Sequence, residues 1–219
     1  MLLKRRFFLL FLLISNFQLS IASKALFVDN PYQNLKVLFI GNSLTYTNNL
    51  PELVKKEALL QDIRLEMTMI AYPNYALIDH LNDGDIQKLI AENNYDFVVV
   101  QQGPSSQAEG KKMLLEDGAK IKKLCQDNGA EMVYFMVWPS KQYYYTYDDV
   151  IKNHIHAATS NEALLAPVGA IWKMHFDKTN DYSYYGADGF HPSLIGSKIA
   201  AKVISKTICK QSAIYGNKD

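Results

Sequence analysis

Short apolar runs and amphipathic stretches take turns along this chain. Residues 35–40, LKVLFI, form an apolar run that stops at Gly41. In residues 63–70, Leu65, Met67 and Met69 alternate with Arg64, Glu66 and Thr68, the period of a strand. Residues 95–100 centre on Phe97-Val98-Val99-Val100, a continuous apolar run that suits a strand covered on both faces. Residues 132–138, MVYFMVW, predict a fourth strand ended by Pro139, and 164–166 a short fifth. Between them lie helical patterns. One begins near Leu50-Pro51 with Asn49 as its cap, since Pro is tolerated in a first turn. Others cover 76–91, with a break near 82–84, then 108–127, 148–161, 168–176 and 193–209, after which the tail reads as polar.

Strands alternating with helices of this size predict an α/β fold. The arrangement expected is a three-layer α/β/α, flavodoxin-like, doubly wound parallel sheet of five strands. In such sheets ligands bind beyond the carboxyl ends of the strands. Candidate chemistry is therefore sought just after each strand.

The N-terminus is set apart from this pattern. Lys4, Arg5 and Arg6 precede the apolar run FFLLFLLI at 7–14, and Ser20-Ile21-Ala22 supplies small residues at a cleavage site. This is the layout of a secretory signal peptide over 1–22, with a second acceptable cut up to residue 25. The run is shorter than the roughly 20 residues a membrane span needs. The expectation is a single domain over 23–219, secreted or periplasmic, with no stable membrane insertion after cleavage. Its oligomeric state is left open.

Composition narrows the function. The 219 residues are 48% hydrophobic and 21% charged, enough apolar material for a substantial core. Lys and Arg total 23 against 22 Asp and Glu, for a net charge of +1. A nucleic-acid partner is not expected without a basic excess or face. The two cysteines, Cys125 and Cys209, fall on separate predicted helices. Two buried thiols are the favoured reading, and a disulfide is permitted in an exported chain. No metal-binding spacing and no glycine-rich nucleotide loop occurs in the sequence. Neither a metal nor a cofactor is expected.

After the first strand comes Gly41-Asn42-Ser43-Leu44-Thr45, and near the C-terminus comes Asp188-Gly189-Phe190-His191-Pro192. A Ser hydroxyl becomes a nucleophile only when a neighbouring base takes its proton. Ser43 lies where a turn can hold its Oγ at the sheet edge, and His191 is the best base. The three-residue spacing lets a tight turn bring the Asp188 carboxylate to Nδ1, fixing the tautomer and leaving Nε2 for Ser43. Pro192 suits the first turn of the last helix.

These two blocks resemble the first and last motif blocks of the SGNH, or GDSL-like, hydrolase family. The likeness extends to their places in the chain, one after the first strand and one before the final helix. It implies a serine esterase with Ser43, Asp188 and His191 as its catalytic residues. It also implies an oxyanion hole built from the Ser43 N–H, a Gly N–H after the second strand and an Asn side chain after the third. Here the sequence departs from the family. Asn74 is the positional match for that Gly, and Asn tolerates positive φ better than most residues. The third loop reads Gln101-Gln102-Gly103-Pro104-Ser105, so Gln102 is the expected side-chain donor, with Ser105 as substitute.

Half of the 14 tyrosines fall in two loops. Tyr143, Tyr144 and Tyr185 are candidates for substrate contact, as is Asn42, which could instead brace the nucleophile turn. Flat aromatic faces beside a polar rim suit sugar rings or aromatic acyl groups. The expected activity is hydrolysis of short acyl esters, including O-acetyl groups on carbohydrates, with a small-molecule or glycan ester as partner. The altered second and third blocks motivate the alternative of a glycan-binding or other ligand-binding protein with weak or lost catalysis.

Overall fold

The computed structural model describes residues 33–215. The predicted leader lies outside these residues. Five strands, β1 (Gln33–Gly41), β2 (Ile63–Ala71), β3 (Phe97–Val100), β4 (Glu131–Phe135) and β5 (Leu164–Ala166), form one sheet. Their order is β2-β1-β3-β4-β5, and every pairing is parallel. This is the predicted α/β class and strand count. The fourth strand ends at Phe135, three residues earlier than its apolar run predicts: its partner β5 stops at Ala166, before Pro167, and the bond from Met136 N–H to the Ala166 carbonyl closes the ladder.

Both faces of the sheet are covered, and the sequence alternation maps onto them. Val37 and Phe39 of β1, Phe97 and Val99 of β3, and Val133 and Phe135 of β4 belong to one apolar core. Their neighbours Leu38, Ile40, Val98, Val100, Met132 and Tyr134 belong to the other. Each such side chain contributes roughly 1.5–3 kcal/mol when fully withdrawn from water. The first core is closed by α2 (Leu50–Leu59), α8 (Val168–Thr179) and α9 (Leu194–Tyr215). The second is closed by α3 (Leu77–Asp83), α4 (Asp85–Asn93) and α6 (Gly118–Asp127), with Ala157 and Ala158 of α7 (Tyr147–Ser160).

Several helix boundaries differ from the pattern. The stretch 76–91 is not among these: it is two helices separated by Gly84 at φ 80, where the break is expected. The stretch 108–127 is interrupted by a π-helical turn over Met113–Asp117, between α5 (Ala108–Lys112) and α6. Side chains from outside take up carbonyls there: Tyr134 Oη donates to Leu114 O at 2.7 Å and Asn161 Nδ2 to Leu115 O at 3.1 Å. Groups inserted into the helical ladder are a recognised cause of such a bulge. Asn49 precedes α2 but is left-handed (φ 52, ψ 53) and makes no side-chain cap bond. The last helix continues to Tyr215, past the predicted end at Cys209, because Ser212 keeps a buried face beyond it. Cys125 and Cys209 are buried free thiols. Among the described residues, no helix is long and apolar enough to cross a membrane.

Candidate active site

The carboxyl ends of β1, β2, β3 and β4 lie at one edge, and the two motif blocks meet there. β1 ends at Gly41, and the chain turns directly into the one-turn helix α1 (Ser43–Tyr46). Asn42 caps this turn: its Oδ1 accepts the Leu44 N–H at 3.1 Å, while its carbonyl accepts Thr45 N–H at 2.9 Å. Asn42 Nδ2 donates to Tyr75 O at 2.9 Å, tying the turn to the loop after β2. With both side-chain polar atoms engaged and 8% exposure, Asn42 braces the turn and is corrected as a substrate contact.

Ser43 opens α1, and its Oγ lies 2.9 Å from His191 Nε2. His191 Nδ1 lies 2.6 Å from Asp188 Oδ2. The other Asp188 oxygen accepts the backbone N–H of Phe190 and of His191, both at 2.9 Å. The hydrogen bond from the His191 ring and then that from Phe190 N–H hold the Asp188 carboxyl below the usual carboxylate range. These contacts keep Nδ1–H as donor to Asp188 and present Nε2 to the serine as acceptor.

The loop carrying His191 is held from beneath. Gly189 sits at φ 68, where Gly carries no steric penalty. Its carbonyl accepts Lys141 N–H at 2.7 Å. Trp138 Nε1 donates to Phe190 O at 2.9 Å, and Trp138 stacks on Trp172 at 3.5 Å between centroids. Pro192 is not in the first turn of α9. It pairs with Tyr185 in a short antiparallel bridge, and Ser193 Oγ caps the helix by accepting Gly196 N–H at 3.1 Å.

The loop after β3 differs most from expectation. Gln102 is not aimed into the crevice as a free donor. It is 6% exposed; its Oε1 accepts Leu77 N–H at 2.8 Å and its Nε2 donates to Met113 Sδ at 3.3 Å. Ser105 is no substitute, since its Oγ is turned back onto Gly103 O at 2.8 Å and the residue is 1% exposed. Both side chains fasten their own loop. Asn74 does adopt the left-handed conformation, φ 62, that its placement required.

The residue that motif reasoning passed over is Gln101. Its Oε1 accepts both the Asn42 N–H and the Thr45 Oγ1–H at 2.9 Å. Its Nε2 is buried and has no partner.

The tyrosines divide. Tyr144 donates to Asp177 Oδ1 at 2.5 Å and packs on Tyr147, Phe176 and Tyr182. Tyr185 is 7% exposed, donates to Pro139 O at 2.8 Å and packs against Trp172 and Phe176. Both differ from the free contact residues expected: they build the platform under the loops, with their hydroxyls held by Asp177 and by Pro139 O. Tyr143 and Tyr145, 51% and 80% exposed, line a cavity of about 500 Å³ with Pro139, Phe190 and Gln107. That cavity adjoins the site through Phe190, whose ring meets the His191 ring edge-on at 5.2 Å. Among the described residues, no group of three or more His, Cys, Asp or Glu side chains is placed to hold a metal ion.

No protein-family model matches the chain, and no curated protein does. Solved structures do. A protein from Slackia heliotrinireducens, provisionally assigned as an SGNH hydrolase, is 27% identical over 80% of this chain and 100% of its own, with a TM-score of 0.67. A DUF4886 family protein from Bacteroides uniformis is 17% identical over 80% of this chain and 83% of its own, with a TM-score of 0.66. A family 3 carbohydrate esterase from Clostridium thermocellum is 14% identical over 83% of this chain and 100% of its own, with a TM-score of 0.62. The chain thus has the α/β/α fold of the SGNH hydrolases, the family that its first and last motif blocks resemble.

Proposed function

We propose that the protein is an exported serine esterase acting on short acyl esters, including O-acetyl groups on carbohydrates. The observation that carries this reading is the continuous hydrogen-bonded line from Ser43 Oγ through the His191 ring to Asp188. In the reaction, Ser43 Oγ attacks the ester carbonyl as His191 Nε2 accepts its proton. The imidazolium, stabilised by Asp188, then gives that proton to the departing alcohol. Water attacks the acyl-enzyme with His191 again as base, and the acid leaves.

The tetrahedral oxyanion needs donors aimed at it. The N–H groups of Leu44 and Thr45 are engaged within the nucleophile turn, and that of Asn42 by Gln101 Oε1. The Ser43 N–H has no partner among these contacts and serves as the first donor. Asn74, left-handed in the loop that follows β2, supplies the second through its backbone N–H. The neutral cavity beside Phe190, faced by Tyr143 and Tyr145 and edged by hydroxyl and amide groups, supports an uncharged sugar as the alcohol. Export rests on the leader pattern of the sequence.

A panel of acyl esters, including acetylated neutral oligosaccharides, tests this with Ser43→Ala beside the native protein. Hydrolysis by the native protein and a loss of about 10⁴-fold or more in the variant is expected. Sugar binding without turnover of any ester would instead support a glycan-binding protein on the same fold.

A further inference from the structure

We propose that Gln101 is a positioning residue for Ser43, holding the nucleophile turn in place through its side-chain carbonyl. The inference rests on Ser43 being the nucleophile. Gln101 N–H donates to Ile40 O at 2.8 Å, so its backbone extends the β3 pairing alongside the end of β1. From there its side chain reaches under the turn. An N–H cannot accept, so the Asn42 contact fixes which end of the amide is the oxygen. Thr45 adds a second donor to the same oxygen one helical turn later. The carbonyl therefore grips the turn on both sides of Ser43.

The fit leaves no slack. A Cβ on Gly41 would lie 2.3 Å from Thr45 Oγ1 and 2.6 Å from Gln101 Oε1. Gln101 is 1% exposed and Thr45 0%, so water does not offer Asn42 N–H another acceptor. The Nε2 end is sealed away from solvent and has no partner. The residue thus keeps an unsatisfied donor while its oxygen is used twice, which singles out the carbonyl as its useful end. Its neighbour Gln102, buried to a similar degree, binds only the start of α3 and Met113.

The test compares Gln101→Met, which keeps volume and loses the carbonyl, with Gln102→Met and Thr45→Val. Three readouts are taken per folded molecule: hydrolysis of p-nitrophenyl acetate, phosphonate labelling of Ser43, and hydrogen exchange at the Asn42 amide. A displacement of about 1 Å at a reacting group costs on the order of 10²-fold in rate. Gln101→Met should lower kcat and the labelling rate by roughly 10- to 100-fold, with KM within about twofold. Thr45→Val should give a smaller fall, not additive with it. Gln102→Met should keep both rates within about threefold. Near-native rates in folded Gln101→Met, or an equal loss in Gln102→Met, would overturn the proposal. If Gln101→Met does not fold, Thr45→Val alone decides: a lower labelling rate with a faster-exchanging Asn42 amide supports the grip, and no change in either refutes it. If the native protein hydrolyses no ester and Ser43 takes no label, the reading as an esterase fails and this role falls with it. Faster exchange at Asn42 in Gln101→Met would still show the contact itself.

Discussion

The two halves of the candidate site are held by opposite means. Ser43 stands on a turn whose supports are interior: Asn42, Thr45 and Gln101 are 8%, 0% and 1% exposed. Asp188 and His191 stand on a loop whose side chains are 52% and 38% exposed. Ser43 is fixed by buried hydrogen bonds between polar side chains and backbone at the end of a parallel sheet. His191 is fixed by backbone contacts to a loop that rests on stacked tryptophans and tyrosines. Buried polar bonds tolerate little change, because each lost partner leaves a group that water cannot reach. A loop on an aromatic platform tolerates change at its surface and is sensitive to what lies under it.

The largest effect expected is at Asp188. Asp188→Asn keeps the side-chain shape but removes the carboxylate that receives His191 Nδ1–H, and kcat should fall by about 10⁴-fold. Ester hydrolysis with a circular dichroism control would show it. A fall below tenfold would mean that the base is oriented by something other than this carboxylate. Next is Gly41→Ala. The added methyl collides with Thr45 and Gln101, so a loss of about 10²-fold in kcat is expected. A folded, fully active alanine variant would show the turn to be looser than its contacts. Smaller again is Trp138→Phe, which removes the indole donor to Phe190 O and keeps an aromatic ring over Trp172. We expect roughly a tenfold fall in kcat, about the worth of one hydrogen bond, and faster proteolysis within the 186–191 loop.

The smallest expected effect on catalysis lies away from both halves. His154 is fully buried in α7, donates Nδ1–H to Val150 O at 2.7 Å, and is pushed by burial down to about 4. The folded protein therefore binds this proton less readily than the unfolded chain, whose His titrates near the ordinary 6.5. The stabilisation is complete above about pH 6.5 and is lost as pH falls through 4, an amount on the order of 3 kcal/mol. Urea midpoints of native protein and His154→Leu, compared at pH 7 and pH 4.5, would show a shallower pH dependence in the variant. Activity at pH 7 should be unchanged.

The same contrast explains what the sequence made legible. Strand positions were readable because every strand residue from Phe97 to Val100 is buried on one face or the other, and burial leaves a compositional trace. The Ser43, Asp188 and His191 pattern was readable because a short turn needs particular residues at particular spacings. Gln101 and Gln102 were not separable by such reasoning. They are adjacent amides on one loop, and only tertiary contacts distinguish the one beneath the nucleophile from the one facing α3 and Met113. Tyr143 and Tyr145 likewise differ from Tyr144 only in the direction that a 3₁₀ turn over Lys141–Thr146 gives each side chain. The π-helical bulge had no sequence mark, since its cause lies in Tyr134 and Asn161 elsewhere in the chain.

Ser43 and His191 are 148 positions apart. During synthesis, the serine would leave the ribosome long before the histidine exists. The final helix that follows His191 packs against α2, which lies just beyond the nucleophile. A chain interrupted anywhere before Asp188 has Ser43 and lacks both Asp188 and His191. Contacts this distant in sequence also form late and slowly in folding. Reactivity at Ser43 would therefore mark a chain that is both complete and closed, and an unfinished copy would remain chemically silent.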